Sequence, residues 1–290
     1  SSFRFYDIQI ESISPDGGPS EGGTTVKVIG TGFFDSESKN VKIVSRFGDR
    51  LRGLDWNKTD KCYEFKMPPL SWLFGGNTPT PEQEAEVKAE GVNIFITLNG
   101  IEWFDVGTFY FYDADYERII SANFDAKISE DDRRNLFMKE EPEVDPFVNC
   151  KNENEIEKKK VELNKIMLQE DEEIKHLFKK AGDYIYLKGH NFIKSPDIVV
   201  QFIHENKGTR SKEVYWKNNK RIAVVVPDIE DLELNKVHPV RVEISYNGQD
   251  FSNTGKGINY LALDKDLAPA EKQKLADEEL KKMKKGGKKQ

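Results

Sequence analysis

Apolar and polar residues alternate with a period of two over several short stretches in the first third of the chain, the spacing of strands that bury one face. Ile8, Ile10 and Ile13 mark an opening strand that stops at Ser14-Pro15-Asp16-Gly17-Gly18-Pro19. Gly22-Gly23 leads into Thr24-Thr25-Val26-Lys27-Val28-Ile29-Gly30, in which Val26 and Val28 alternate with polar neighbours. Gly30-Thr31-Gly32 reads as a turn, with Gly30 supplying a tight or positive-φ conformation and Phe33-Phe34 plugging the sandwich end. Val41–Val44 and Cys62–Met67 are further strands, the second stopped by Pro68-Pro69. Val92–Leu98 alternates and ends at Asn99-Gly100, a hairpin-type pair, and Thr108–Tyr112 closes the set. Short strands separated by turn signals predict a mainly-β fold, a β-sandwich.

The pattern then recurs. Val26–Phe33 matches Ile185–Phe192, Tyr63–Pro68 matches Ile222–Pro227, and Ile94–Gly100 matches Val242–Gly248. Trp103 answers Phe251, and Phe111 answers Tyr260. Anchors in one order at nearly equal separations predict two sandwiches: residues 1–114, and 182–264 with a first strand taken from Tyr116–Ala122. Between that strand and Ala181-Gly182 lies a charged stretch of about 55 residues, too long for a structureless loop. It occupies the place of the first copy's Gly-Gly loop, within a 115–181 segment of strand plus insert. Ser129-Glu130-Asp131-Asp132 starts one predicted helix. Glu155 to Lys180 is a second, with Leu163, Met167, Ile174 and Phe178 near one face. Residues 265–290 form a helix-prone basic tail carrying Lys281, Lys282, Lys284 and Lys285.

Composition narrows the function classes. The 290 residues are 37% hydrophobic and 33% charged, with a net charge of −7 and a mean hydropathy of −0.68. That combination fits compact domains alternating with solvated segments. The acidic balance disfavours nucleic acid as a partner, and no apolar run reaches the roughly 20 residues of a membrane helix. Two cysteines, Cys62 and Cys150, are no disulfide framework and point to a reducing, cytoplasmic compartment; the sequon Asn57-Lys58-Thr59 is the counter-signal. A start at Ser1-Ser2-Phe3 without Met suggests a fragment or a processed product.

The run Ile13-Ser14-Pro15-Asp16-Gly17-Gly18-Pro19-Ser20-Glu21-Gly22-Gly23-Thr24-Thr25-Val26-Lys27-Val28-Ile29-Gly30-Thr31-Gly32-Phe33 resembles the opening of an IPT/TIG domain, and Leu98-Asn99-Gly100 with Phe109-Tyr110-Phe111 resembles its close. The second copy keeps Gly189-x-x-Phe192 and Tyr246-Asn247-Gly248-Gln249-Asp250-Phe251 but lacks the Pro and the Gly-Gly loop. The resemblance covers about two-thirds of the chain and implies immunoglobulin-like binding domains. Together with the reduced cysteines, the Lys/Glu-rich insert and the basic tail, it implies the cytoplasmic, ciliary or cytoskeletal type.

Candidate chemistry is sparse. Gly30-Thr31-Gly32 is followed by no helix, Gly17-Gly18 and Gly22-Gly23 lack a Gly-Lys-Ser/Thr, and Arg118 stands where a calcium loop starting at Asp113 needs Gly. His176, His190, His204 and His238 lack metal-ligand spacing, so no catalytic, cofactor or metal residues are expected. What remains is partner-binding surface: the aromatic loop Trp72, Leu73 and Phe74, the helix stripe of the insert, and the tail lysines. The expected function is a non-enzymatic interaction protein of a cytoplasmic assembly such as a ciliary axoneme, with tubulin or axonemal proteins as partners. A receptor or adhesion fragment, or an ancillary module of a carbohydrate-active enzyme, is the alternative.

Overall fold

The computed structural model describes residues 7–122, 124, 127–142, 146–174, 178–264 and 266–286. For residues 168–174, 178, 269, 273, 280 and 283–286 it describes the backbone alone. The chain divides into two compact units: Ser1–Asp113 with Tyr246–Asp250, and Ala114–Ser245 with Phe251–Gln290.

In the first unit the strands are β1 (Gln9–Ser14), β2 (Gly17–Pro19), β3 (Thr25–Thr31), β4 (Asn40–Ser45), β5 (Gly48–Gly53), β6 (Asp55–Asn57), β7 (Cys62–Lys66), β8 (Val92–Thr97) and β9 (Phe104–Tyr112). They form two sheets, β1-β3-β7-β6 and β2-β9-β8-β4-β5, the architecture of an immunoglobulin-like sandwich. Inward positions follow the alternation read from the sequence: Val26, Val28, Ile43, Phe65, Ile94 and Phe109 are all at most 1% exposed. A 3-10 turn, Leu70–Phe74, and a helix α1 (Pro81–Glu90) join β7 to β8. Thr80 and Gln83 form a reciprocal capping box at the start of α1, with Pro81 in its first turn, so local chemistry alone specifies that helix start.

The second unit contains β10 (Asp115–Ser121), helices α2 (Glu130–Met138) and α3 (Glu153–Ile174), then β11 (Phe178–Lys179), β12 (Tyr184–His190), β13 (Val199–His204), β14 (Lys207–Arg210), β15 (Val214–Asn218), β16 (Arg221–Val225), β17 (Lys236–Ser245), β18 (Ser252–Ala262) and the tail helix α4 (Pro269–Gly286). Its sheets are β10-β12-β16-β15 and β11-β18-β17-β13-β14. Strand for strand this is the order of the first unit. Two short strands also correspond: β2 and β11 each run parallel to the last strand, with Gly18 opposite Phe111 and Lys179 opposite Tyr260.

Three sequence expectations change here. The second insert helix is Glu153–Ile174 and does not run to Lys180; Phe178 belongs to a strand opposite Asn259, so it does not extend the stripe of Leu163 and Met167. The insert lies between β10 and β11, ahead of the turn that corresponds to the Gly-Gly loop. Asn99-Gly100 is no two-residue hairpin, because β8 ends at Thr97 and β9 begins at Phe104. Instead Asn99 Oδ1 accepts from the amides of Ile101 (2.9 Å) and Glu102 (2.8 Å). Asn247 Oδ1 accepts in the same way from Gln249 (3.0 Å) and Asp250 (2.9 Å). Gly100 and Gly248 follow with φ of 76° and 73°. The repeated Asn-Gly is an Asx turn whose glycine takes a positive φ that few other residues adopt easily.

Gly30 also has a different role from the one expected. Its φ is not positive; a Cβ there would stand 2.2 Å from the carbonyl oxygen of Gln9 and 2.9 Å from the Phe33 ring. At Gly189 the same atoms recur, 1.9 Å from the Asp115 carbonyl oxygen and 2.8 Å from the Phe192 ring. The Gly-x-x-Phe motif therefore lets the first strand and an aromatic ring close over the backbone. In both units the first strand shifts register next to that glycine, between Ile10 and Ser12 and between Tyr116 and Arg118.

Candidate functional site: an aromatic sheet face under an insert helix

The two units differ on the outer face of their four-stranded sheets. In the first unit the outward positions of β3, β6 and β7 are Thr25, Lys27, Asp55, Glu64 and Lys66, an ordinary solvated face. The corresponding register positions of β12, β15 and β16 are Tyr184, Tyr186, Tyr215, Ala223 and Val225. An apolar outer face requires a cover.

The cover is α2. Ser129 caps its N-terminus, accepting from the Asp132 amide at 3.1 Å, and Glu130, Asp131 and Asp132 complement the positive end of the helix dipole. Phe137 is fully buried. Its ring centroid lies 4.6 Å from that of Tyr184, 5.6 Å from Tyr186, 6.1 Å from Tyr215 and 6.3 Å from Phe124. Most of these pairs are edge-on, the arrangement ring quadrupoles favour.

At the other end of the helix sits a lysine with 0% exposure, Lys217 of β15. Its Nζ donates to the carbonyl oxygens of Leu136 (2.9 Å), Phe137 (3.1 Å) and Lys139. These are groups that a helix C-terminus leaves unpaired, and the ammonium also opposes the negative end of the dipole. Glu141 supplies the counter-charge, 3.4 Å from Lys217 Nζ and 2.8 Å from Arg221 Nη1. The Glu141 amide donates to the Lys217 carbonyl oxygen at 2.9 Å, which ties the chain after the helix to β15. Arg134 pairs with Glu213 at 3.1 Å. Burial pulls the Lys217 ammonium below its ordinary value, against the pull of Glu141. Burial raises Tyr184, Tyr186 and Tyr215, with Glu130, Glu141 and Glu213 respectively adding to the effect.

Sequence reasoning located the helix start at Ser129 but not this face, whose signal is the replacement of polar outward residues by tyrosines at matched repeat positions. The residues singled out from sequence fall elsewhere. Leu73 and Phe74 are in the core of the first unit at 0% and 7% exposure, with Trp72 packed partly against it. Leu163 is half-buried and Met167 exposed on α3, where the Met167 carbonyl oxygen accepts from Arg118 at 3.3 Å. Lys281 and Lys282 are exposed on α4, Lys282 pairing with Glu279. The side chains of Ile174, Phe178, Lys284 and Lys285 lie outside the described residues, as does His176.

A cleft of about 960 Å³ runs beside β14, lined among others by His204, Lys207, Arg210, Asp228, Ile229 and Asp231. Lys207 and Asp231 pair across it at 2.8 Å. In the first unit the Leu70–Phe74 turn packs against β5 there, with the Phe74 and Phe47 rings 4.9 Å apart. Among the described residues no group of three His, Cys, Asp or Glu side chains could hold a metal ion, and no helix is long and apolar enough to cross a membrane. Cys62 and Cys150 are free thiols, the first raised in pKa by burial.

Residues 9–111 match the IPT/TIG domain family. The match runs from β1 to Phe111 of β9 and takes in the Pro-Gly opening, Gly30-x-x-Phe33 and the Asx turn at Asn99. No curated protein sequence matches the chain. Similar solved structures include the plexin A4 extracellular region, domains 1 to 8, at 9% identity over 89% of this chain and 27% of that one, TM-score 0.25. The surface glycan-binding protein PbSGBP-B from Prevotella bryantii is similar at 8% identity, 87% and 42% coverage and TM-score 0.26. An ICAM-5 D1–D4 ectodomain fragment is similar at 7% identity, 88% and 54% coverage and TM-score 0.26. The chain thus spans less than two thirds of the length of each.

Proposed function

We propose that the chain is a non-catalytic protein-interaction module in which the sandwiches are scaffold and the insert supplies contact surface. One observation carries this reading. Of the ten large hydrophobic residues that are exposed among the described residues, six lie in the insert: Leu136, Met138, Val148, Val161, Ile166 and Met167. Apolar surface concentrated in one inserted segment, on otherwise well-packed domains, is the usual mark of a binding region.

The second unit is read as a second copy of the IPT/TIG domain, on the strength of its strand order and its Gly189–Phe192 packing. A cytoplasmic setting on an axoneme or microtubule lattice is the finer reading. It is supported by the resemblance in type and by Lys281, Lys282, Lys284 and Lys285, which suit an acidic polymer surface such as tubulin tails. Microtubule co-sedimentation of the full chain tests it against two variants. One reverses the four tail lysines to Glu; the other carries Val161→Asp with Ile166→Asp. Pelleting that either variant loses supports the reading and says which surface binds. A full chain that stays in the supernatant at low salt removes the microtubule partner.

A further inference from the structure

The apolar surface beneath α2 has its own specificity. It offers an aromatic pocket of Tyr184, Tyr186 and Tyr215, a buried ammonium that reads the free carbonyls of a helix C-terminus, and Arg221 beside Lys217 to read a carboxylate just past the helix end. The ligand these features describe is a short helix with an aromatic residue in its last turn and an acidic residue four positions later, as Phe137 and Glu141 provide. The equivalent face of the first unit, with Thr25, Lys27, Asp55, Glu64 and Lys66, has none of them.

We infer that the outer face of the β10-β12-β16-β15 sheet is a helix-binding surface, that α2 is its resident occupant, and that the α2 segment of a second copy of this chain can replace it. The helix is nine residues long and Phe137 is its buried residue, while Leu136 and Met138 stay 49% and 44% exposed. A helix of that length has little stability of its own. Its place rests on one ring, the Lys217 contacts, the Tyr184–Glu130 hydrogen bond and the ion pairs of Glu141, Arg134 and Glu140, the last with Lys194 at 2.8 Å, so it can open without unfolding the sheet. Every one of these contacts is between the α2 segment and the rest of its own unit, and an identical segment from another copy makes the same ones, as in exchange between protomers.

Hydrogen exchange on the full chain is the first test. The helix amides of α2 should exchange at least about ten-fold faster than those of β12 and β16, through local opening; equal rates overturn the inference. The second test adds a capped peptide of residues 127–142 to the full chain carrying Phe137→Ala, in which the pocket is vacated. Saturable binding is expected, absent when the peptide itself carries Phe137→Ala, and weakened at least about ten-fold by Lys217→Met in the receiving chain. No binding to a chain that keeps β12 and β16 amide protection overturns the inference. If Phe137→Ala loses that protection, Phe137→Leu takes its place as the receiving chain and the same two outcomes apply.

Discussion

Lys217 Nζ stands 2.9 Å from the carbonyl oxygen of Leu136, at the end of a helix that belongs to an inserted segment rather than to the sandwich. A lysine buried this fully is costly unless its ammonium is hydrogen-bonded and counter-charged. Here three carbonyls and Glu141 meet both conditions, and the same bonds fix where α2 ends on the sheet. Lys217→Met keeps the apolar stem and removes the donors, so the carbonyls of Leu136, Phe137 and Lys139 lose their partner. The expected cost is about 1–3 kcal/mol, read as a lower denaturant midpoint at unchanged slope. Glu141→Gln should also destabilise, and the double variant should cost less than the sum, because the residues share one network. Strict additivity would mean that the ammonium and the carboxylate act separately.

The three tyrosines report on the same contact through their ionisation. Each is held above the ordinary value of 10.0, chiefly by burial. Between pH 10.0 and its folded pKa, each keeps a proton in the folded state that the unfolded chain has released. Their contribution to stability is complete below pH 10.0 and is lost as pH rises through the folded values. Lys217 runs the other way: its folded pKa lies below 10.5, so its contribution grows as pH climbs toward that value. Tyrosinate absorbance should show a late-titrating group in the wild-type chain. Phe137→Ala should move that group toward pH 10.0, since removing the ring lets water to Tyr184 and Tyr186. An unchanged titration curve would show that α2 does not shield them.

The aromatic turn after β7 separates packing from recognition. Leu73 is fully buried, whereas Trp72 only partly covers the same core. Leu73→Ala should cost about 2–5 kcal/mol through the lost contacts and the cavity. Trp72→Ala should cost less. If Trp72 is an interface anchor, its replacement will weaken partner binding at a stability change too small to explain the loss; equal proportional losses in both variants would assign the turn to the core alone.

Much of the fold is legible because strands that bury one face announce themselves by alternation: Val26, Val28, Ile94 and Ile96 alternate in sequence and are all fully buried. The edge strands are not legible. β5 carries Asp49, Arg50 and Arg52, and β14 is Lys-Gly-Thr-Arg; charges that protect an edge also erase its strand pattern. The break between α3 and β11 is hidden for another reason, since Ile174 and Phe178 keep helical spacing across it. The α2 site was half legible. Ser129 and its acidic first turn mark the helix, but Lys217 looks like any surface lysine in a strand, and only a comparison of outward positions between the two repeats sets Tyr184 and Tyr186 against Thr25 and Lys27.

The glycines of the repeated motif give the sharpest comparison, because their roles rest on close approach and not on φ. A methyl group at Gly30 or Gly189 would press on a carbonyl oxygen of the first strand, at 2.2 Å and 1.9 Å, and on the ring of Phe33 or Phe192. Neither the backbone of a paired strand nor a packed ring can yield that far without opening the sandwich edge. Gly30→Ala and Gly189→Ala should each destabilise by about 1–3 kcal/mol or more, as overpacking does. Gly53 at the end of β5 is the control: its Cβ position meets nothing within 4 Å and its φ is not positive. Gly53→Ala should be neutral or stabilising by about 0.4–1 kcal/mol through the unfolded chain. Thermal melts of the three variants decide it. If Gly53→Ala costs as much as the other two, loss of backbone freedom rather than close packing explains the motif.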